Sequence, residues 1–177
     1  GLSEKKYYEL IMSFPHSNAQ LCKVVPSENC VCFLTGLQEF FFLIGGVPNN
    51  IRFDNLSAAV IKMISGSEPS LTDMFKTFQW HYRFKAEFCN RGKGNEKGHV
   101  ETKVGYVRRN YFSPLPIIKD LKELNNKLQE SMLEDWERIH YEKGVLISEL
   151  WKEDAAHLLT LPTHPLEIVR VHTRTIN

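Results

Sequence analysis

Two carboxylates stand out by their settings. Asp54 ends a short apolar run, Ile51-Arg52-Phe53-Asp54-Asn55-Leu56, and Glu101 lies in Glu96-Lys97-Gly98-His99-Val100-Glu101, which reads as the opening of a helix. Hard divalent cations take oxygen ligands, and Mg2+ binds through a few carboxylates while keeping room for substrate phosphate oxygens. Two such ions about 3.5–4 Å apart can activate a nucleophile and stabilise the leaving oxygen of a phosphodiester. Asp54 and Glu101 are therefore the candidate catalytic residues and metal ligands. The expected cofactor is Mg2+ or Mn2+, two ions in a complete site. Each residue alone has a plainer reading. An Asp before Asn at a strand end is a common turn or cap residue, and a Glu four residues after Lys97 is commonly a solvated ion pair worth about 0.3 kcal/mol.

The cations around Glu101 sharpen the reading. Residues 83–109 hold eight Lys/Arg against three Glu, whereas residues 119–154 hold six Lys/Arg against ten Asp/Glu. The formal net charge of +1 hides this asymmetry. A basic segment beside an acidic one implies a polyanion-facing surface on part of the molecule only. Arg91, Lys93, Lys97, Lys103, Arg108 and Arg109 are the candidate DNA-binding residues, making salt-dependent and sequence-independent contacts to the backbone. Lys97 has an equal claim as the ion-pair partner of Glu101. Gly92 and Gly94 form too short a pattern to count as a phosphate cradle. His99 is read as an ordinary helix-surface histidine.

Other chemistries are disfavoured. Cys22, Cys30, Cys32 and Cys89 show no CxxC and no paired spacing with histidine, so zinc is not expected and reduced thiols are. The longest apolar run, residues 37–47, includes Gln38 and Glu39 and is too short to cross a bilayer. No membrane partner is expected. The chain opens on Gly1-Leu2-Ser3 and closes on an alternating Val169-Arg170-Val171-His172-Thr173. Both ends are expected to be cuts through a longer protein.

The elements that must position these groups follow from the pattern. Residues 6–14 and 19–25 read as a hairpin around Pro15-His16-Ser17-Asn18. Ser27 is the expected cap of a helix to about Ile44, ended by Gly45-Gly46. Residues 50–54 form a strand expected to run parallel within the same sheet after that crossover helix, with Asp54 at the carboxyl end where function gathers. A short helix is expected at 57–64, a loop at 65–70, and a helix from Thr72 to Tyr82 with Phe75, Phe78 and Tyr82 on one side. Residues 83–89 alternate as a half-exposed strand, and 90–95 form a basic loop. Residues 97–111 are a helix with Val100, Val104, Val107 and Tyr111 inward, and Lys97, Glu101, Gly105 and Arg108 on the adjacent face. Pro114 and Pro116 break the chain before a long amphipathic helix striped by Ile117, Leu121, Leu124, Leu128, Met132, Trp136 and Ile139. Residues 145–160 are expected to be helical again. Phe40, Phe41, Phe42 and Trp80 are assigned to the core.

The runs GGVPNNIRFDNLSAAV (45–60), FQWHYRFKAEFCNRGKGNEKGHVETKVGYVRRNYF (78–112) and DLKELNNKL (120–128) resemble the IstA-like transposases of bacterial insertion sequences. The resemblance covers most of the chain, and EKGxVE and YVRRN are its most specific parts. It implies an α/β fold: a ribonuclease H-like mixed sheet flanked by helices, with a DDE triad in which Asp54 matches the second Asp and Glu101 the final Glu. It also implies DNA (element ends and target) as partner, an AAA+ helper ATPase of the IstB type, a homo-oligomer on DNA, and a bacterial cytoplasmic location at the nucleoid. The chain departs from the pattern at one point. The triad's first Asp belongs on a strand ahead of residues 6–14, where none is present, and neither Glu4 nor Glu9 fits it. The first strand is thus expected to be missing, through truncation or decay of the element, and the fragment to be inactive. The expected division is 1–112 catalytic core, 113–161 helical extension and 162–177 the start of a β-rich module. Two other classes stay open: another ribonuclease H-like nuclease of the resolvase type, and a non-catalytic DNA-binding or assembly module built on the amphipathic helix.

Overall fold

The structure, a computed structural model, describes residues 5–53, 72–88, 98–114 and 116–168, with backbone alone for 98–103. Strands β1 (Tyr8–Ser13) and β2 (Gln20–Val25) form the expected antiparallel hairpin, with Ser13 opposite Gln20 and Tyr8 opposite Val25. Phe14 and Ala19 close its turn through a 2.9 Å backbone bond, and Asn18 takes the left-handed conformation (φ 68°) that Asn tolerates better than most residues.

Helix α1 (Cys30–Ile44) starts later than the sequence suggests. Its cap is Asn29, whose side-chain oxygen accepts from Cys32 N–H at 2.9 Å. Ser27 lies too far ahead of the first helical residue to reach that amide. Gly45 ends the helix at φ 75°, as expected. The helix buries Phe33, Leu34, Leu37, Phe40 and Phe41. Phe42 points outward, 42% exposed, one position beyond the inward face.

Strand β3 (Asn50–Phe53), helix α2 (Asp73–Tyr82) and strand β4 (Lys85–Phe88) form a parallel unit, Asn50 opposite Lys85 and Phe53 opposite Phe88. Parallel strands need a crossover, and α2 lies within it. Thr72 caps α2 through Phe75 N–H. Arg83 ends α2 in the left-handed region (φ 64°) and so does not begin the strand that follows. Among the described residues, β3 pairs with β4 and not with the hairpin, so the expected single sheet is present as two two-stranded pieces. One core joins them. Phe33, Leu34, Leu37 and Phe41 of α1 pack with Phe53, Phe75, Phe78, Tyr82 and Phe84, and Leu10 and Met12 of β1 rest on the same cluster. Trp80 is not part of it. It lies on the outer face of α2 and is 87% exposed. The expected elements at 57–64, 65–70 and 90–95, and Cys89, lie outside the described residues.

Helix α3 (Gly98–Tyr111) packs on β1, and helix α4 (Leu121–Asp135) packs on β2. Asp120 caps α4 by accepting from Lys122 and Glu123 N–H. Cys22, Val24, Val107, Phe112, Leu128 and Met132 form a second core cluster under these helices. The α4 stripe is shorter than expected: Ile117, ahead of the cap, and Ile139, beyond the helix, are 88% and 59% exposed. Trp136 follows α4 and donates from Nε1 to Gln20 O at 3.1 Å. Helix α5 (Ile147–Ala155) buries Ile147 and Leu150, Ile147 beside Trp136 and Phe14. The stripe of α4 is therefore spent within the chain, and α4 and α5 share their cores with the hairpin. The chain then runs back over α1 and α2. Leu159 exchanges backbone bonds with Val47, Arg83 donates to Thr160 O, and Tyr82 Oη donates to Gln38 and accepts from Leu166 N–H. Among the described residues, no helix is long and apolar enough to cross a membrane.

Candidate metal centre and phosphate-binding face

The parallel pairing of β3 and β4 aligns the carboxyl ends of both strands. Phe53, the last residue of β3, is buried and stacks on Phe88 at 5.4 Å between ring centroids. It also meets Phe33 and Phe75 edge-on. This aromatic packing fixes the strand end from which the chain continues to Asp54. Asp54 itself lies outside the described residues, as do Arg91, Lys93 and Lys97. Glu101 and Lys103 lie in the first half of α3, and their side chains are likewise outside the description, as is that of His99. Among the described residues no group of three His, Cys, Asp or Glu is placed to hold a metal ion.

The second half of α3 is well anchored. Val107 is fully buried. Tyr106 Oη donates to Asp135 Oδ1 at 2.7 Å, and Arg138 both pairs with Asp135 and lies over the Tyr106 ring at 5.2 Å. Burial, then the hydrogen bond to Asp135 for Tyr106 and the Asp135 charge for Tyr111, raises both phenols above their ordinary value. This three-way tie between α3 and the end of α4 was not foreseen. Its members are 29 and 3 residues apart, and the longer separation leaves no periodic signal in the sequence.

The two adjacent arginines of α3 have different surroundings. Arg108 donates from Nε to Glu9 Oε2 at 3.3 Å, which ties α3 to β1. That pairing accounts for Glu9: it is a mid-strand ion-pair partner. Arg109 is exposed, and among the described residues it has no carboxylate partner. The thiols do not offer an alternative donor set. Cys22 and Cys30 are buried, and burial pushes both up, so neither is readily a thiolate.

Sequence comparison extends this picture. A transposase of Aminobacter aminovorans is 33% identical over 120 residues, covering 67% of this chain and 24% of that protein. The transposase for insertion sequences IS1326/IS1353 of Pseudomonas aeruginosa is 30% identical over 148 residues, covering 83% of this chain and 29% of that protein. The transposase for insertion sequence element IS21, also of Pseudomonas aeruginosa, is 26% identical over 105 residues, or 59% of this chain and 27% of that protein. The chain belongs with the insertion-sequence transposases of the IS21 (IstA) type. It spans between 24 and 29% of the length of these transposases. No protein-family model matches it.

Proposed function

We propose that the chain is part of the catalytic core of a DDE-type transposase with a ribonuclease H-like sheet, carrying out metal-dependent DNA cleavage and strand transfer. The observation that carries this reading is the parallel β3–β4 unit, whose buried strand end at Phe53 runs directly into Asp54. Open α/β sheets gather function just past the carboxyl ends of parallel strands. The kinship with insertion-sequence transposases supports it independently. The topology supports the ribonuclease H-like assignment. An antiparallel hairpin and a parallel pair rest on one helix, and β1 and β3 each have one edge without a partner among the described residues. One further strand between those edges would complete a mixed five-stranded sheet. That strand is where the first Asp of the triad is expected.

In this mechanism Asp54 and Glu101 hold Mg2+ or Mn2+. Both are hard oxygen donors, the kind these ions require. The ions, once bound, supply the charge that activates a nucleophile and stabilises a leaving oxygen. The chain's own groups position the DNA. Arg91, Lys93, Lys97, Lys103 and Arg109 neutralise backbone phosphates, which holds the phosphodiester for in-line attack. Water attacks first and frees a 3′-hydroxyl at the element end. That hydroxyl then attacks target DNA, and the displaced target oxygen leaves opposite it. With two of its three carboxylates, the 177-residue chain alone is expected to cut DNA poorly. In the cell, an AAA+ ATPase of the IstB type and further copies of the transposase on DNA complete the assembly, in the bacterial cytoplasm at the nucleoid.

The test uses a full-length transposase containing this segment. Asp54→Ala and Glu101→Ala should each abolish strand transfer and leave DNA binding intact. Transfer that survives both substitutions sinks the enzyme reading.

A further inference from the structure

We infer that Arg109, and not its neighbour Arg108, is the α3 arginine that takes a DNA backbone phosphate, and that Gly105 is the residue that seats it there. The inference rests on the DNA reading above and goes one step further: it assigns the contact to one side chain and gives a reason for a glycine inside a helix.

The first observation is the space at Gly105. A Cβ built there would sit 3.1 Å from Arg109 Nη1 and 3.8 Å from Cζ and Nη2, and these three are its nearest neighbours. The guanidinium therefore lies back along α3, against the bare Cα of the residue one turn earlier. Helical side chains lean toward the N-terminus, so this is the natural direction for Arg109, and a bulky side chain at 105 would take the space that the guanidinium occupies. Glycine is otherwise among the worst residues for a helix interior. Nothing in the core calls for it at this position, since its nearest neighbours all belong to Arg109.

The second observation is direction. Arg109, Gly105 and Glu101 step along α3 at intervals of four residues, each about 40° further round the helix than the one before. A guanidinium parked at Gly105 is thus about 5–6 Å along the helix axis from the level of Glu101. A planar guanidinium offers two parallel N–H donors to phosphate oxygens.

The third observation removes the competitor. Arg108 is held by Glu9, whose carboxylate is only 24% exposed. Turning Arg108 toward DNA would leave that carboxylate uncompensated beside a polyanion. Arg109 has no such commitment among the described residues.

The experiment measures binding of a fluorescein-labelled, mixed-sequence DNA duplex to the 177-residue chain as a function of salt, with the thermal midpoint of each variant. Arg109→Gln should weaken binding and reduce the slope of log affinity against log salt by about 0.9, the loss of one phosphate contact. Gly105→Leu should do the same without lowering the midpoint, because leucine favours helix and the added side chain fills the seat. Arg108→Gln should lower the midpoint and leave the slope as it was. A full slope for Gly105→Leu, or a slope that responds to Arg108 and not to Arg109, overturns this assignment alone. No salt-dependent binding by the unsubstituted chain overturns the DNA reading and the assignment with it.

Discussion

Asn125 of α4 satisfies both backbone groups of Val24 at the outer edge of β2. Its Oδ1 accepts from Val24 N–H at 2.8 Å, and its Nδ2 donates to Val24 C=O at 2.9 Å. One side-chain amide here stands where a neighbouring strand would pair, and among the described residues β2 has no strand on that edge. Gln20 C=O, further along the same edge, is taken by Trp136 Nε1. Unpaired edge groups are a template for pairing with other chains, and α4 closes this one.

Asn125→Ala should therefore destabilise the fold by roughly 1–3 kcal/mol, because two partly buried backbone groups lose their partners at once. Urea denaturation should give a lower midpoint with an unchanged slope. The variant should also self-associate more readily, which light scattering would read. A midpoint equal to that of the parent chain would mean that Val24 finds water as easily as it finds Asn125.

The two faces of α2 should respond in opposite ways to truncation. Phe78 is fully buried against Phe41, Tyr82 and Phe84, so Phe78→Ala should cost about 3–5 kcal/mol. Trp80, two positions on, has nothing to lose. Trp80→Ala should change stability by no more than about 0.5 kcal/mol. The indole should also emit as a water-exposed tryptophan in the native state, and collisional quenching would check that directly.

Alkaline pH should weaken the fold through its buried and half-buried phenols. Burial raises Tyr111 most, and Tyr82 and Tyr106 in the same direction. In the unfolded chain these phenols ionise near their usual value of about 10. A folded pKa above the unfolded one gives stability that is complete below about pH 10 and lost as pH rises beyond it. Lys23, which burial pushes down, works the other way, since its cost fades as pH approaches about 10.4. The three phenols outnumber it, and the Cys22 and Cys30 thiols, which burial also raises, act in the same direction as the phenols. Urea midpoints at about pH 8 and pH 11 should show the loss, and Tyr111→Phe should show a smaller one. Equal losses for parent and variant would exclude Tyr111 as a source.

Much of the local architecture was legible in the residues. The aromatic hairpin around Pro15-His16-Ser17-Asn18, the Gly45 stop, the Thr72 cap and the inward triplet Phe75, Phe78, Tyr82 all follow from short-range rules. Those rules work because a turn, a cap or a helical stripe is decided within about four residues, by backbone hydrogen bonds and a fixed period. The candidate carboxylates were singled out by type and setting, and their side chains lie outside the described residues. The strand leading to Asp54 and the helix carrying Glu101 were both anticipated, within a residue at their ends.

What tertiary structure decided was which of several similar residues is used. Phe41 and Trp80 look equally apolar in the sequence, yet one is fully buried and the other is 87% exposed. Ile117 and Ile139 continue the α4 stripe on paper but flank the helix in space. Arg108 and Arg109 are adjacent and chemically identical, yet a single carboxylate on a strand 99 residues earlier holds the first and leaves the second facing Gly105. Burial and pairing depend on which faces are brought together, and that is a property of the packed elements as a set. The sequence by itself determined roughly where the described helices and strands lie, because each is set by a local period and a local stop. The packing of α3 and α4 on the hairpin determined which edge is closed and which of the two arginines a strand carboxylate holds.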